Sequence, residues 1–243
     1  MRFVRKNMLI QLPGVEVRIL ADADAVAAET ARLVLGAATD AIAARGAFRL
    51  VLAGGSTPQA AYRLLAEAEA DWDRWHCYFG DERCLPVGDA ARNSRAAESA
   101  WLDRVPIPRA QLHPIPAEQG AEPAAAAYEP IVAAALPFDL ALLGMGEDGH
   151  TASLFPGHEV CPGPLVMPVH DAPKPPPDRV SLTPSALCRS RRMLVLVTGA
   201  GKRPAVARWQ AGDGLPVSRV AVGGNAMVLL DRAAAPDAGP VSG

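Results

Sequence analysis

The chain has 243 residues, 50% of them hydrophobic, enough to bury a substantial core as one large domain or two small ones. Its 24 Lys and Arg stand against 26 Asp and Glu, so it lacks the broad basic surface on which nucleic-acid binding depends. No stretch reaches the roughly 18 consecutive apolar residues of a membrane span, and Pro13 and Gly14 interrupt the basic opening Met1 to Ile10 before it could serve as a signal segment.

Val15 to Leu20 alternates as a strand does, and Asp22 is placed to cap a helix carrying Val26, Thr30, Leu33, Val34, Ala37 and Ala41 at helical spacing, with Gly46 as its stop. Phe48 to Ala53 is a short apolar run. Gly54-Gly55-Ser56-Thr57-Pro58 follows it and opens a second helix through Tyr62, Leu64 and Leu65. The alternation continues with a strand over Trp75 to Phe79, a polar loop from Gly80, helical spacing from about Ser94 to Leu102 and a short strand over Leu112 to Ile115. Ala121 to Ala135 is predicted helical, with Pro130 expected to kink or divide it. Phe138 to Leu143 reads as a buried strand ending at Gly144. Arg192 to Val197 and Val220 to Val222 read as later strands, with a helix from about Gly201 to Trp209 between them. This order predicts a mainly parallel sheet with helices on both faces. With no composition break and no repeat, residues 1–243 form one domain, fraying from about residue 233. The Pro-rich run Ala172 to Pro177 is an exposed extended loop.

The Gly54 to Pro58 turn places free N–H groups and the positive end of a helix where an anion could sit, with Ser56 or Thr57 as cap and Pro58 at the first helical position. An ordinary capped turn has the same pattern. Gly144 to Gly149 matches the dinucleotide fingerprint, but Glu147 and Asp148 would set two carboxylates against a pyrophosphate. The loop therefore reads as a tight active-site turn at the carboxyl end of a strand. His150 follows it directly, and an imidazole can take a proton from water near neutrality if Asp148 orients it. Zinc is not expected, since His158 and Glu159 lie beyond a proline. Asp81-Glu82-Arg83 ends another strand at the same edge; Arg179, Lys202 and Arg203 are further cations, each equally readable as surface charge. The cysteines Cys77, Cys84, Cys161 and Cys188 form no close pair, which suits a reducing compartment and a cytoplasmic location.

Taken in order, Ala53 to Pro58, Phe79 to Cys84 with Asn93, Leu143 to Gly157, Arg179 to Thr183 and Gly199 to Lys202 resemble the 6-phosphogluconolactonase family, within the glucosamine/galactosamine-6-phosphate isomerase superfamily. Arg92 departs from the serine usual before Asn93 in that family. The resemblance implies a Rossmann-like α/β fold and hydrolysis of a sugar-phosphate lactone without cofactor or metal. It also implies His150 as general base with Asp148 behind it. Substrate contacts would come from Gly54, Gly55, Ser56, Thr57, Asp81, Arg83, Asn93, Gly144, Gly146, Arg179 and Lys202. The expected partner is a small sugar phosphate rather than a nucleic acid or a membrane, and the expected assembly a monomer or weak homodimer. Two alternatives stay open: a deaminase-isomerase, in which a glutamate occupies the position of Phe155, and a sugar-phosphate sensor without turnover.

Overall fold

The computed structural model describes residues 10–158 and 163–236, so the opening up to residue 9, Glu159, Cys161 and the residues beyond 236 lie outside it. In chain order β1 (Glu16–Leu20), α1 (Ala23–Arg45), β2 (Phe48–Leu52), α2 (Ser56–Leu65), β3 (Trp75–Phe79), β4 (Asp81–Arg83) and α3 (Asn93–Ala97) come first. They are followed by β5 (Leu112–His113), α4 (Ala121–Ala135), β6 (Leu140–Gly144), β7 (Val166–Val169) and β8 (Arg179–Leu182). Last come α5 (Pro184–Leu187), β9 (Met193–Val197), α6 (Arg203–Gln210), α7 (Pro216–Gly223) and β10 (Ala226–Asp231). Seven strands pair in parallel in the order β1-β10-β9-β6-β2-β3-β5. Every residue of β9 and β10 is buried, as a sheet covered on both faces requires.

The local causes are visible in the sequence. Asp22 accepts a hydrogen bond from Ala25 N–H at 2.9 Å and starts α1; Gly46, left-handed with φ 76°, ends it by donating to the Ile42 carbonyl. Phe48, Trp72, Trp75, Trp101 and Tyr62 form one aromatic cluster, with Phe48 edge-on to Trp75 at 4.8 Å and Tyr62 stacked on Trp101 at 5.7 Å.

Order along the sheet sets the location of the site. From β2 the chain crosses to β3 on one side, while β6 pairs with β9 on the other, so the connections leaving these neighbouring central strands run in opposite directions. Such a switch point leaves a crevice beyond the carboxyl ends of the two strands, where open α/β sheets bind ligands. Here the two glycine turns, after Leu52 and after Leu143, meet.

The structure departs from several expectations. Val220 to Val222 belong to α7, and the last strand is Ala226–Asp231: three apolar residues fit a helix flank as well as a strand. Asp81–Arg83, expected as loop, is a strand of a separate antiparallel sheet, β4-β8-β7, whose polar residues gave no alternating signal. Pro130 leaves α4 undivided; it and Ala126 are exposed, so water can serve the carbonyl freed by the missing N–H. Residues 98–102 continue α3 as a wider turn, and the fifth strand stops at His113. Up to residue 236 the tail is held rather than frayed. Ala234 is fully buried and its N–H donates to Asp231 at 2.7 Å, while Arg203 donates to the Ala233 carbonyl. Among the described residues no helix is long and apolar enough to cross a membrane.

Leu194 is fully buried in the middle of β9. Leu194→Ala should cost about 3 kcal/mol of unfolding free energy, lost transfer plus the cavity left behind, read as a lowered urea midpoint at unchanged slope.

Candidate active site

A cavity of about 390 Å³ occupies the switch point, lined by both glycine turns, His150, Asp81, Asn93 and the cations Arg83, Lys174, Arg179 and Lys202. Gly54, Gly55, Gly144 and Gly146 line it as well. Of the residues expected at the site, only Ser56, Thr57 and Asp148 lack a place in this wall.

Asp148 stands behind the wall rather than in it. Its Oδ1 lies 2.5 Å from His150 Nδ1 and also accepts the His150 backbone N–H at 3.1 Å. With Nδ1–H donated to the carboxylate, the unprotonated Nε2 is free to accept a proton. Burial pushes the imidazole below the ordinary histidine range, outweighing the opposite pull of Asp148 and Asp81, so the ring is neutral at pH 7. On Asp148 burial acts to raise the carboxyl, but the hydrogen bonds and charge of His150 win and hold it below the usual range. The loop that carries the pair closes on itself: Gly146 N–H donates to the His150 carbonyl at 2.8 Å, and Thr151 Oγ1 to the Gly144 carbonyl at 2.8 Å.

The second wall is built by the small antiparallel sheet. Pairing of β4 with β8 sets Arg83 opposite Arg179 and Asp81 opposite Ser181. Asp81 Oδ2 accepts from Ser153 Oγ at 2.7 Å and Oδ1 from Asn93 Nδ2 at 3.0 Å. Burial raises its pKa, Ser153 opposing. Asn93 explains one glycine, since a Cβ on Gly54 would overlap its amide. Glu82, fully buried, accepts the N–H groups of Asn93 at 2.7 Å and Ser94 at 2.8 Å, fixing the start of α3. Arg92, the departure noted above, is also buried and lies between Glu82 at 3.5 Å and Glu118 at 2.8 Å.

The cations divide by occupation. Arg179 spends Nε on the Pro176 carbonyl at 3.2 Å and Nη2 on that of Lys174 at 2.7 Å, and thereby anchors the Pro-rich loop over the cavity. Burial lowers its pKa, as does the neighbouring Arg83. Arg83 donates to the Ala91 carbonyl. Lys202 is pushed down by burial, Glu147 opposing. Lys174 was missed in the sequence; the signal was that it is the single charge in an otherwise apolar, Pro-rich run. Ser153 was missed too, since a serine inside a motif has no spacing that reports its partner.

At the first glycine turn the cap is Gly55, without a side-chain cap bond, in place of Ser56 or Thr57. Ser56 is exposed, and the Thr57 hydroxyl pairs with that of Thr198 at 2.6 Å. Pro58 falls third in α2, where a missing N–H costs nothing because helix starts leave those donors without partners. Arg203 bonds the Ala233 carbonyl instead of lining the cavity. Among the described residues no group of three or more His, Cys, Asp or Glu is placed to hold a metal ion.

Gly146 leaves room for the His150–Asp148 pair, because a Cβ there would overlap the imidazole of His150 and stand 2.5 Å from Asp148 Oδ1. Gly146→Ala should therefore lower turnover at least tenfold, with a circular dichroism spectrum like that of the parent; full activity would mean that the pair is not set by this contact.

The profile of the family described as glucosamine-6-phosphate isomerases/6-phosphogluconolactonase matches residues 21–229. The chain is 41% identical over 239 residues to the 6-phosphogluconolactonase of Mycobacterium tuberculosis, covering 90% of this chain and 96% of that one. It is 38% identical over 240 residues to that of Streptomyces coelicolor, covering 88% and 91%. The crystal structure of 6-phosphogluconolactonase from Thermotoga maritima superposes with a TM-score of 0.81 at 29% identity, over 89% of this chain and 99% of that one.

Proposed function

The chain belongs to the glucosamine-6-phosphate isomerase/6-phosphogluconolactonase family, and on that premise we propose that it hydrolyses 6-phospho-D-glucono-1,5-lactone to 6-phosphogluconate. The observation that carries the reading is a neutral His150, held through Nδ1 by Asp148 at 2.5 Å, in a cavity otherwise rich in cations. His150 takes a proton from water as the oxygen attacks the lactone carbonyl. N–H groups of the glycine loop steady the developing oxyanion. The tetrahedral intermediate collapses with cleavage of the bond from the carbonyl carbon to the ring oxygen, and the imidazolium returns its proton to that oxygen. An activated ester needs only positioning and proton transfer, so the scheme draws on no cofactor. Lys202, Lys174 and Arg83 supply charge for the phosphate.

Deamination is disfavoured by Phe155, 2% exposed, whose ring packs 4.7 Å from that of His150 and has no proton to give. We assign the chain to the cytoplasm, where the unpaired thiols of Cys77, Cys84 and Cys188 suit a reducing milieu, and we expect a monomer or weak homodimer.

Added to freshly prepared lactone in the presence of a chelator, the protein should accelerate acid release above the spontaneous rate. His150→Ala should lower kcat about a hundredfold or more while leaving product affinity near that of the parent; unaltered kcat rules out the assignment of the base.

The pH profile provides an independent check. The base must be neutral, and burial sets its pKa below the ordinary value of 6.5. The acid limb of kcat/KM should therefore fall below pH 6.5. Asp148→Asn should move it further down, since the carboxylate favours the imidazolium. An inflection at or above pH 6.5 contradicts the proposal.

A further inference from the structure

A second cavity of about 350 Å³ lies behind the catalytic loop and shares no lining residue with the first. Volumes of this size hold small organic ligands. Buried Leu154, Phe155, Leu215 and Val220 lie beneath it, and its accessible apolar wall is Pro156, Pro184 and Pro216. Two rings pack at a tilt in part of the wall, Phe155 and His158, with centroids 5.6 Å apart. Phe155 is the partition: the same ring packs against His150 and lies 5.5 Å from the guanidinium carbon of Arg179.

The lining carries Arg208, Arg219 and Asp213. Asp213 pairs with Arg208 at 2.8 Å. Arg219 is exposed and makes no ion pair among the described residues. Gly214 adjoins it, and a Cβ there would stand 3.2 Å from its Nε, so the missing side chain leaves the guanidinium room at the edge of the cavity. Two guanidinium groups against one carboxylate leave a single unmatched positive charge beside an apolar floor. A phosphate dianion would meet Asp213 as well as Arg219, whereas a monoanion balances the charge.

We propose that this cavity is a binding site for a small aromatic monocarboxylate, its ring among Pro156, Pro184 and Pro216 and its carboxylate on Arg219. The site is separate from the reaction and does not rest on the lactonase reading. The test is calorimetric titration of the purified protein with 1-naphthoate. Saturable one-to-one binding is expected, weakened about tenfold or more in Arg219→Gln, because a carboxylate on a guanidinium is a strong charge-assisted contact. Binding should persist unchanged in Lys202→Gln, which alters only the first cavity. The neutral isostere 1-naphthalenemethanol should bind the parent protein about tenfold more weakly, a comparison that needs no variant to fold. The proposal is overturned by titrations that do not saturate, by equal affinity for the acid and the alcohol, by an Arg219→Gln variant that binds as the parent does, or by loss of binding in Lys202→Gln.

Discussion

Two neighbouring strands, β2 and β6, hand their chains to opposite halves of the sheet, and the site depends on that parting. The gap it leaves admits a ligand only if backbone can line it closely, which explains why both strands run into glycines. The turn after β2 presents the start of a helix to the gap, and the turn after β6 presents an imidazole. Neither could be moved to another strand pair without losing the other. Burial of β9 and β10 on both faces keeps this frame rigid, so the reacting groups are placed by the core of the sheet rather than by loops alone.

Electrostatics inside the cavity follow from the same arrangement. Burial disfavours an imidazolium there, and of the four cations that line the cavity Lys174 adds to the effect. The ring therefore keeps a nitrogen able to accept a proton. Asp148 limits this effect and fixes the tautomer. Asp81 performs a different task, joining Ser153 and Asn93 across the cavity wall through one buried carboxylate. The two carboxyl groups differ because burial raises Asp81, whereas the hydrogen bonds and charge of His150 hold Asp148 down.

Much of the frame was legible because long, strongly patterned segments report themselves. Asp22 and Gly46 marked both ends of α1, and the placing of the Gly144 to His150 turn at the carboxyl end of a strand was readable from its glycines. What escaped was set by partners distant in sequence. Asp81 to Arg83 look like a solvated triplet until β8, about a hundred residues later, pairs with them. Val220 to Val222 are too short to distinguish a strand from a helix flank, and α7 settles the matter by packing. The cap at Gly55 was misread because serine and threonine are favoured caps by type, whereas here the Thr57 hydroxyl is claimed by Thr198 from another turn.

The bonds made by Arg179 combine two properties that are easily confused. Its guanidinium lines the cavity and also works as a rivet for the Pro-rich strap that brings Lys174 and Pro175 to the same wall. The strap is a short surface segment held by Arg179 through the carbonyls of Lys174, Pro175 and Pro176 and by the Ala172 N–H on the Pro177 carbonyl, and its Ala172 packs against Phe155, the ring beside His150. A residue rewritten in the strap would therefore be felt at the imidazole as well as at the cavity rim, through Phe155 and through the charge of Lys174.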